Sequence, residues 1–268
     1  MKKRPLEVHD AGRVEIFTED APLFREHGLL SAASLWHLSS ETAKNLRAER
    51  VTSRFELKQA DGTLRRFYIK RHSPSSLKEW IKPLLRGQWP QLGARHEWEA
   101  LWLFLEHQLP TMQPVAIFRH GRYSGLITRS LEGAVKLSEL YKQQKLSAPQ
   151  EQVLLENVAR LTARMHGHGF HHQDYYLGHL MVPEADLTAT PWIIDLGRVR
   201  HCRKLARRWI VKDLAQLNYS ASQISGLKRL RFLKRYLGRS FGQHDLSLIR
   251  SIMSKTSRIA RHSRKNQL

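Results

Sequence analysis

Four charged residues stand at positions from which side chains often do chemistry. Lys70 ends a strand-like segment, Glu97 lies on the next helical pattern, Asp174 sits in a polar loop, and Asp195 follows an apolar run. A strand lysine held by a helix glutamate can grip the α- and β-phosphates of a nucleotide. One aspartate can accept the proton of an attacking hydroxyl, and a second can hold a metal ion. The set of residue types therefore points to phosphoryl transfer.

Taken singly, each of these residues has an ordinary structural explanation. A strand lysine usually lies at the surface, and a helix glutamate is usually solvated. Asp195 is less ordinary, because a carboxylate at the end of a buried strand is a frequent ligand position. Glu97 follows Lys70 by 27 residues, Asp174 comes 77 residues later, and Asp195 another 21. The prediction rests on this order and spacing together.

The elements that must position Lys70 and Glu97 are mostly strands. The stretch from Asn45 to His72 alternates in the manner of strands around a turn at Ala60–Gly62, and further strands are predicted at Val115–Arg119 and Tyr123–Thr128. Apolar residues at helical spacing predict a helix over 93–108. We expect a five-stranded sheet with one helix in residues 1–131, and the pattern of residues 1–40 supports no assignment.

After residue 131 the pattern is mainly helical. Pro149 begins a helix that ends at Gly167–Gly169, and strands are predicted at Leu180–Val182 and Trp192–Ile194. Three more helices are predicted over 207–222, 226–239 and 244–260. The fold class is therefore α+β, with a strand-rich region at 1–131 and a helical region at 132–268.

Several motifs together resemble those of the lipopolysaccharide core heptose kinases of the WaaP type. The most specific are His172–Leu180 (HQDYYLGHL), which resembles the catalytic loop of that family, and the Lys212–Ala215 block (KDLA). Ile193–Arg198 (IIDLGR) is similar to the family's metal-binding segment, and Leu92–Trp98 (LGARHEW) to its glutamate-bearing helix. The resemblance runs from about residue 42 to about residue 240. It implies a protein-kinase-like fold of two lobes and phosphorylation of a sugar hydroxyl.

The resemblance also implies a role for each candidate residue. Lys70 binds the α- and β-phosphates of ATP, and Glu97 orients it. Asp174 is the catalytic base, Asp195 binds Mg²⁺, and Asp213 corresponds to the buried helix aspartate that accepts hydrogen bonds from the backbone of the catalytic loop. ATP and Mg²⁺ are the implied cofactors, and a heptose of the lipopolysaccharide inner core is the implied acceptor.

Three departures from a protein kinase modify these expectations. No glycine-rich loop precedes Lys70, and the matching turn at Arg47–Arg50 carries arginines, so Arg50 is expected to contact a phosphate of ATP. His179 replaces the asparagine that binds a second metal; because Mg²⁺ prefers oxygen, Asp195 is expected to be its main ligand, with His179 beside it. Gln173 replaces an arginine, which makes activation by phosphorylation through that arginine improbable.

Composition excludes several other classes of protein. The apolar fraction of 41% is that of a globular chain, and no run of 18 apolar residues exists. The basic N-terminus lacks an apolar segment behind it, so we expect no secretory signal. The single cysteine, Cys202, excludes internal disulfides and fits a reducing cytoplasm. A zinc hypothesis for the histidines between His166 and His179 finds no cysteine pair or HExxH motif in its support.

The charge is concentrated near the C-terminus. The net charge is +21, and residues 198–268 hold 19 basic but only two acidic residues. Such a region predicts an anionic partner. We expect peripheral contact with the anionic cytoplasmic face of the inner membrane, which carries the glycolipid acceptor, or contact with an acidic protein. A nucleic-acid-binding protein is the competing hypothesis, but the aromatic residues of this region fall at spacings that suit core packing, and no nucleic-acid motif appears.

Overall fold

The computed structural model describes residues 5–47, 50–74 and 93–265. The chain forms two compact units. The first contains Met1–Glu106 and Met112–Glu132, and the second contains His107–Thr111 and Gly133–Leu268. Among the described helices, none is both long and apolar enough to cross a lipid bilayer.

The first unit is built on an antiparallel sheet of seven strands, in the order β1-β2-β6-β7-β5-β4-β3. The strands are β1 (Leu6–His9), β2 (Val14–Phe17), β3 (Glu41–Arg47), β4 (Arg50–Lys58), β5 (Leu64–His72), β6 (Pro114–His120) and β7 (Tyr123–Arg129). The predicted sheet of five strands was therefore too small. The two additional strands come from the N-terminal residues, whose pattern supported no assignment, and β2 joins the sheet beside β6.

Among residues 5–47, 50–74 and 93–132, three α-helices accompany this sheet: α1 (Ala21–Glu26), α2 (Ala32–Trp36) and α3 (Gly93–Glu106). Helix α3 buries an apolar face that includes Trp98, Leu101 and Phe104, and it packs on β5, β6 and β7. It ends two residues before the predicted boundary, and Gln108 beyond it has a positive φ of 55°. The core of the unit lies between the sheet and α1 and α2, where Phe24 stands edge-on to Phe55 and Phe67.

The second unit contains five helices and five short strands among its described residues. The helices are α4 (Leu137–Lys142), α5 (Ala148–Gly167), α6 (Arg207–Ser220), α7 (Gly226–Leu237) and α8 (Asp245–Lys265). The strands are β8 (Ala134–Lys136), β9 (Phe170–His171), β10 (Leu180–Pro183), β11 (Trp192–Ile193) and β12 (Arg200–His201). Strand β10 lies between β8 and β11, and β9 pairs with β12.

The long helices of this unit begin and end where their local sequences specify. Ser147 caps α5 and forms a capping box with Gln150, and Pro149 occupies the first turn. Helix α7 ends at Gly238, whose φ of 67° is the left-handed conformation that glycine adopts most easily. Helices α6, α7 and α8 share a core formed by Leu214, Leu233 and Ile252 with their neighbours.

Candidate active site

Lys70 and Glu97 form an ion pair within the first unit. The Lys70 Nζ donates to Glu97 Oε1 over 2.6 Å. The Glu97 side chain is only 3% exposed, whereas that of Lys70 is 23% exposed. The ordinary interpretation of Glu97 as a solvated helix residue is therefore wrong, because this carboxylate is buried and directed at the lysine.

The sheet and α3 fix both members of this pair. Lys70 lies on β5 between two hydrogen-bonded strands, opposite Thr52 of β4 and Leu126 of β7. Helix α3 begins at Gly93, whose φ is 68°, and the Ala94 N–H donates to Ser124 Oγ of β7 over 3.1 Å. An added Cβ at Gly93 would come within 2.9 Å of that oxygen. The start of α3, and with it Glu97, is thus anchored on the sheet that carries Lys70.

In the second unit, Asp213 of α6 holds the start of the loop that contains Asp174. Its carboxylate is fully buried and accepts the backbone N–H groups of His172 over 2.6 Å and Gln173 over 2.9 Å. Burial acts to raise the pKa of Asp213, but hydrogen bonds and nearby positive charge, His166 first, outweigh it and lower the pKa. The predicted contact between Asp213 and the loop backbone is present.

Two further side chains of α6 hold the rest of this loop. Gln216 Oε1 accepts the Tyr175 N–H over 3.2 Å, and Gln216 Nε2 donates to the carbonyl of Gln173 over 2.6 Å. Ser220 Oγ accepts the Leu177 N–H over 2.9 Å. Positions 213, 216 and 220 lie on one face of the helix. Gln216 had no predicted role, because a polar residue near the end of a helix is usually solvated.

His172 connects this loop to the segment that carries Asp195. Its Nε2 lies 3.1 Å from the carbonyl oxygen of Ile194, and its Nδ1 lies 3.3 Å from the N–H of Asp174. A neutral ring that donates from Nε2 and accepts at Nδ1 satisfies both contacts. Burial lowers the pKa of His172, which favours this neutral form. The imidazole therefore orients the backbone of Asp174.

The side chain of Asp174 makes an ion pair with Arg198. The Arg198 Nη1 lies 3.1 Å from each carboxylate oxygen of Asp174. Arg198 is 58% exposed and Asp174 is 27% exposed, so solvent and small molecules reach both side chains. Arg198 had no predicted role, although it ends the IIDLGR motif; the structure places it beside Asp174.

Asp195 and His179 lie together near Asp174. His179 Nε2 is 3.6 Å from Asp195 Oδ2, and the backbone carbonyl of Asp174 lies 2.7 Å from His179 Nδ1. If Nδ1 donates to that carbonyl, Nε2 presents a lone pair toward Asp195, as in histidines that bind metals. One carboxylate and one imidazole at this separation can share a divalent cation whose remaining ligands come from water or phosphate.

Asp195 reaches this position through a constrained backbone. The preceding Ile193 pairs with Leu180 of β10, and the Ile194 N–H donates to the carbonyl of His179 over 3.0 Å. Asp195 itself has a φ of 61°, a left-handed conformation that is uncommon for a residue with a side chain. These bonds bring Asp195 and His179 to the same place.

The comparison with known protein families now bears on this arrangement. The sequence profile of the "Lipopolysaccharide kinase (Kdo/WaaP) family" matches residues 33–236, which is most of the chain. This chain belongs to the lipopolysaccharide kinase (Kdo/WaaP) family. The family is protein-kinase-like, so the predicted α+β fold class and the predicted phosphotransferase are confirmed.

Three proteins named "Lipopolysaccharide core heptose(I) kinase WaaP" are similar to this lipopolysaccharide kinase. One from Escherichia coli (strain K12) is 30% identical over 260 residues, which are 91% of this chain and 94% of the relative. One from Pseudomonas aeruginosa is 33% identical over 196 residues, which are 68% of this chain and 72% of the relative. Another from Escherichia coli is 31% identical over 229 residues, which are 76% and 84% of the two chains.

Kinase chemistry implies the use of ATP and usually of a divalent metal, and the residues present suit such an ion. Asp195 supplies a carboxylate oxygen, and His179 supplies a nitrogen within sharing distance. Arg50, the predicted phosphate contact, begins β4, but its side chain lies outside the described part of this lipopolysaccharide kinase, as do Ala48 and Glu49 of the same turn.

The other histidines of this kinase have structural surroundings. His166 contacts the hydroxyl of Tyr236 over 2.8 Å, and His171 stacks on Trp209 with 4.5 Å between ring centroids. Among residues 5–47, 50–74 and 93–265, no three His, Cys, Asp or Glu side chains converge in a way that could hold a metal ion. The described residues therefore give the zinc hypothesis no support.

Proposed function

We propose that this protein is an ATP-dependent kinase that phosphorylates a heptose hydroxyl in the inner core of lipopolysaccharide. The observation that carries the proposal is the loop around Asp174, whose backbone is held at both ends by α6 and whose carboxylate is open to an acceptor. The choice of a heptose as the acceptor rests on the names of its relatives, which are heptose(I) kinases.

In this mechanism Asp174 is the general base. The acceptor hydroxyl approaches the carboxylate, its proton moves to Asp174, and the oxygen attacks the γ-phosphorus of ATP while the bond to the bridging oxygen breaks. Arg198 contacts both oxygens of Asp174, and this ion pair orients the carboxylate until the acceptor arrives.

The remaining residues act on the nucleotide. Lys70, held by the buried Glu97, binds the α- and β-phosphates of ATP. Asp195, with His179 beside it, would hold the metal. We take this metal to be Mg²⁺, because Mg²⁺ is the ion that usually accompanies ATP. When bound, the metal neutralises charge on the phosphates. Arg50 completes the phosphate contacts in this proposal, and Asp174 alone handles the proton.

The proposed site of action is the cytoplasmic face of the inner membrane, where ATP and the glycolipid acceptor meet. A groove of about 540 Å³ beside α7 carries a dense set of cations over an apolar floor that includes Leu155 and Phe232. The cations are Lys228, Arg231, Lys234, Arg235 and Arg239. Each basic residue near an anionic membrane surface contributes about 1 kcal/mol to the binding free energy. An acidic protein partner at the same groove is the other form of this proposal.

Three of the five aromatic residues on which the nucleic-acid hypothesis depends are packed against other side chains. Phe232 and Tyr236 pack into the core of the helices, and Tyr236 also contacts His166. Trp209 is stacked on His171. Bases bound by a protein need exposed aromatic faces for stacking, and these three rings already have partners. Of the other two, Tyr219 contacts the ring of Tyr176 and Phe241 is exposed, so the aromatic residues of this region give nucleic-acid binding little support.

A truncation series of purified core acceptors tests the proposal. We expect ATP consumption with acceptors that retain the inner-core heptose, and only slow hydrolysis of ATP with acceptors that lack it. Equal ATP consumption with both kinds of acceptor would show that the heptose is not the substrate.

A further inference from the structure

A second concentration of cations lies apart from α7, where the first turns of α6 meet the middle of α8. The pocket there has a volume of about 530 Å³. Five of its eight lining residues are basic, and none is acidic: Arg207, Arg208, Lys212, Lys255 and Arg258. Helix α6 also begins here with no side-chain cap on its first turn, so the partial positive charge of a helix N-terminus adds to the five cations.

The cations that α6 contributes to this pocket contact neutral groups. Arg207 donates to Ser247 Oγ over 2.8 Å, and the Arg208 guanidinium lies 4.9 Å from the centre of the Trp209 ring. Two cations of α7, in contrast, meet carboxylates: Lys228 contacts Glu151, and Arg235 contacts Glu156. Five like charges around one pocket repel each other, and an anion in the pocket removes that repulsion.

Lys212 connects the pocket to the catalytic loop. Its Nζ lies 3.4 Å from Oε1 of Gln173, the residue before Asp174. Burial lowers the pKa of Lys212, the negative charges of Asp174 and Asp213 oppose this, and the positive charges of Arg198 and Lys255 add to the lowering. Lys212 therefore belongs to the lining of the pocket and also contacts the residue before Asp174.

We propose that this pocket is an anion subsite that binds a carboxylate or phosphate group of the acceptor and so determines which sugar hydroxyl reaches Asp174. The inference rests on the proposed function and names the recognition element that the function needs. A hydroxyl on a sugar chain is one of many similar groups, and charge on a neighbouring part of the acceptor distinguishes it. The position next to Gln173 favours an acceptor over a lipid headgroup distant from the reaction.

Calorimetric titration with a delipidated core oligosaccharide measures this subsite without requiring turnover. The test variant is Lys255→Gln/Arg258→Gln, since both residues lie on α8 outside the catalytic loop. The matched control is Arg264→Gln/Lys265→Gln, which removes the same charge from exposed positions of the same helix. We expect the test variant to weaken binding about tenfold or more, and the control to change it less than about twofold. Equal binding by all three proteins would overturn the proposal.

Three further arms identify the source of the anion. Lys255→Arg/Arg258→Lys keeps the charge and should bind like wild type; a loss as large as with glutamine would indicate packing and reject the subsite. Carboxyl-reduced and dephosphorylated oligosaccharides identify the anionic group. We expect one of the two to bind wild type weakly, with the same affinity as it binds the glutamine variant. If both modified oligosaccharides still bind wild type more tightly than the glutamine variant, the anion does not come from the acceptor and the proposal is wrong.

Anionic vesicles that lack the acceptor separate a lipid headgroup from the acceptor. We expect the test variant and wild type to bind such vesicles equally, and a selective loss by the test variant would assign the pocket to lipid. Acceptor turnover is measured alongside, with the effect expected in KM for the acceptor and not in KM for ATP. Absent turnover with normal oligosaccharide binding would reject the proposed function and leave the subsite standing.

Discussion

At the scale of single residues, Asp195 is the clearest case of a side chain placed by a constrained backbone. Its φ of 61° costs on the order of 1 kcal/mol or more for a non-glycine residue, and such conformations cluster at functional sites. The neighbouring bonds of Ile193 and Ile194 hold it there, 3.6 Å from His179 Nε2. A cation bound by both Asp195 and His179 would account for this conformation of Asp195.

Mg²⁺ titration of ATP turnover separates the contributions of these two residues. Asp195→Ala removes the carboxylate oxygen, so we expect the Mg²⁺ concentration for half-maximal activity to rise about tenfold or more. His179→Asn replaces a nitrogen by an amide oxygen that Mg²⁺ prefers, so the requirement should stay the same or fall. An Asp195→Ala enzyme with wild-type Mg²⁺ dependence would show that another residue holds the metal.

Residue types and spacing in the sequence were enough to select Lys70, Glu97, Asp174 and Asp195, and the resemblance to the WaaP-type kinases added Asp213. These residues have few alternatives, because their chemistry requires a definite charge at a definite place in the chain. Gln216 and Arg198 could not be selected in this way. A glutamine on a helix and an arginine in a basic region are both ordinary surface residues, and only the folded loop brings them to Gln173 and Asp174.

At the scale of elements, α6 acts as a support for the catalytic loop. Asp213, Gln216 and Ser220 accept four loop N–H groups from one helical face. An unsatisfied buried backbone group costs about 1–3 kcal/mol, so each lost side chain strains the loop. The side chains on this face of α6 thereby fix the position of Asp174.

Gln216→Ala tests this support. The variant leaves the Tyr175 N–H without its acceptor and frees the carbonyl of Gln173, so we expect a loss of about 1–3 kcal/mol in unfolding free energy and a kcat lowered about tenfold. Ser220→Ala, which removes one bond, should have a smaller effect on both. Gln223→Ala, at an exposed glutamine just beyond α6, is the control and should change neither. A Gln216→Ala enzyme with normal kcat would remove α6 from the positioning role.

Strand β9 gives an element-scale prediction about pH. His171 lies on β9, stacked on Trp209 and 1% exposed, and burial lowers its pKa to about 4. Asp213 opposes the lowering, while Lys212, Arg200 and His166 add to it. The unfolded chain takes up a proton near pH 6.5, and the folded one only near pH 4, so stability is full above pH 6.5 and falls toward pH 4. The loss is about 2–3 kcal/mol.

His171→Phe keeps an aromatic ring against Trp209 but cannot titrate. Thermal unfolding of both proteins between pH 7 and pH 4 should show a smaller decrease in Tm for the variant. His172 and the carboxylates titrate in both proteins, so the difference between the two curves isolates His171. Parallel curves would mean that the folded and unfolded states bind a proton at His171 equally well.

Short strands were the elements least visible in the sequence. The pattern from Asn45 to His72 is long enough to show alternation, and β4 and β5 were predicted from it. Strands β1 and β2 have four residues each and are separated by a tight turn in which Asp10, Ala11 and Gly12 have positive φ. Four residues give too few alternations to distinguish a strand from a loop, and the pairing of β2 with β6 is a tertiary contact that no local pattern records.

At the scale of the whole molecule, the charge is divided unevenly between the two units. Residues 198–268, with 19 basic and two acidic residues, all belong to the second unit. Part of this charge is compensated locally, as in the pairs Lys228–Glu151 and Arg239–Asp245. The exposed cations of α7 remain available for an anionic surface such as a membrane.

Neutralising three of these cations tests the membrane contact. We expect Arg231→Gln/Lys234→Gln/Arg235→Gln to weaken binding to anionic vesicles that carry the acceptor, most strongly at low salt, because the Debye length is about 10 Å at 0.1 M. The KM for ATP should stay within about twofold of wild type. The control, Arg261→Gln/Arg264→Gln/Lys265→Gln, removes equal charge from the end of α8. Equal loss with both triple variants would indicate a response to net charge alone.

Transfer of labelled γ-phosphate from ATP to a heptose-bearing core acceptor, with the phosphate located by mass spectrometry, tests directly whether this protein is a heptose kinase. Wild type should add one phosphoryl group to the heptose. Asp174→Asn, which is nearly isosteric and lacks the base, should bind ATP normally and transfer about 10²–10⁴-fold more slowly. Transfer by a folded Asp174→Asn enzyme at the wild-type rate, or a phosphate found elsewhere than on the heptose, would contradict the account.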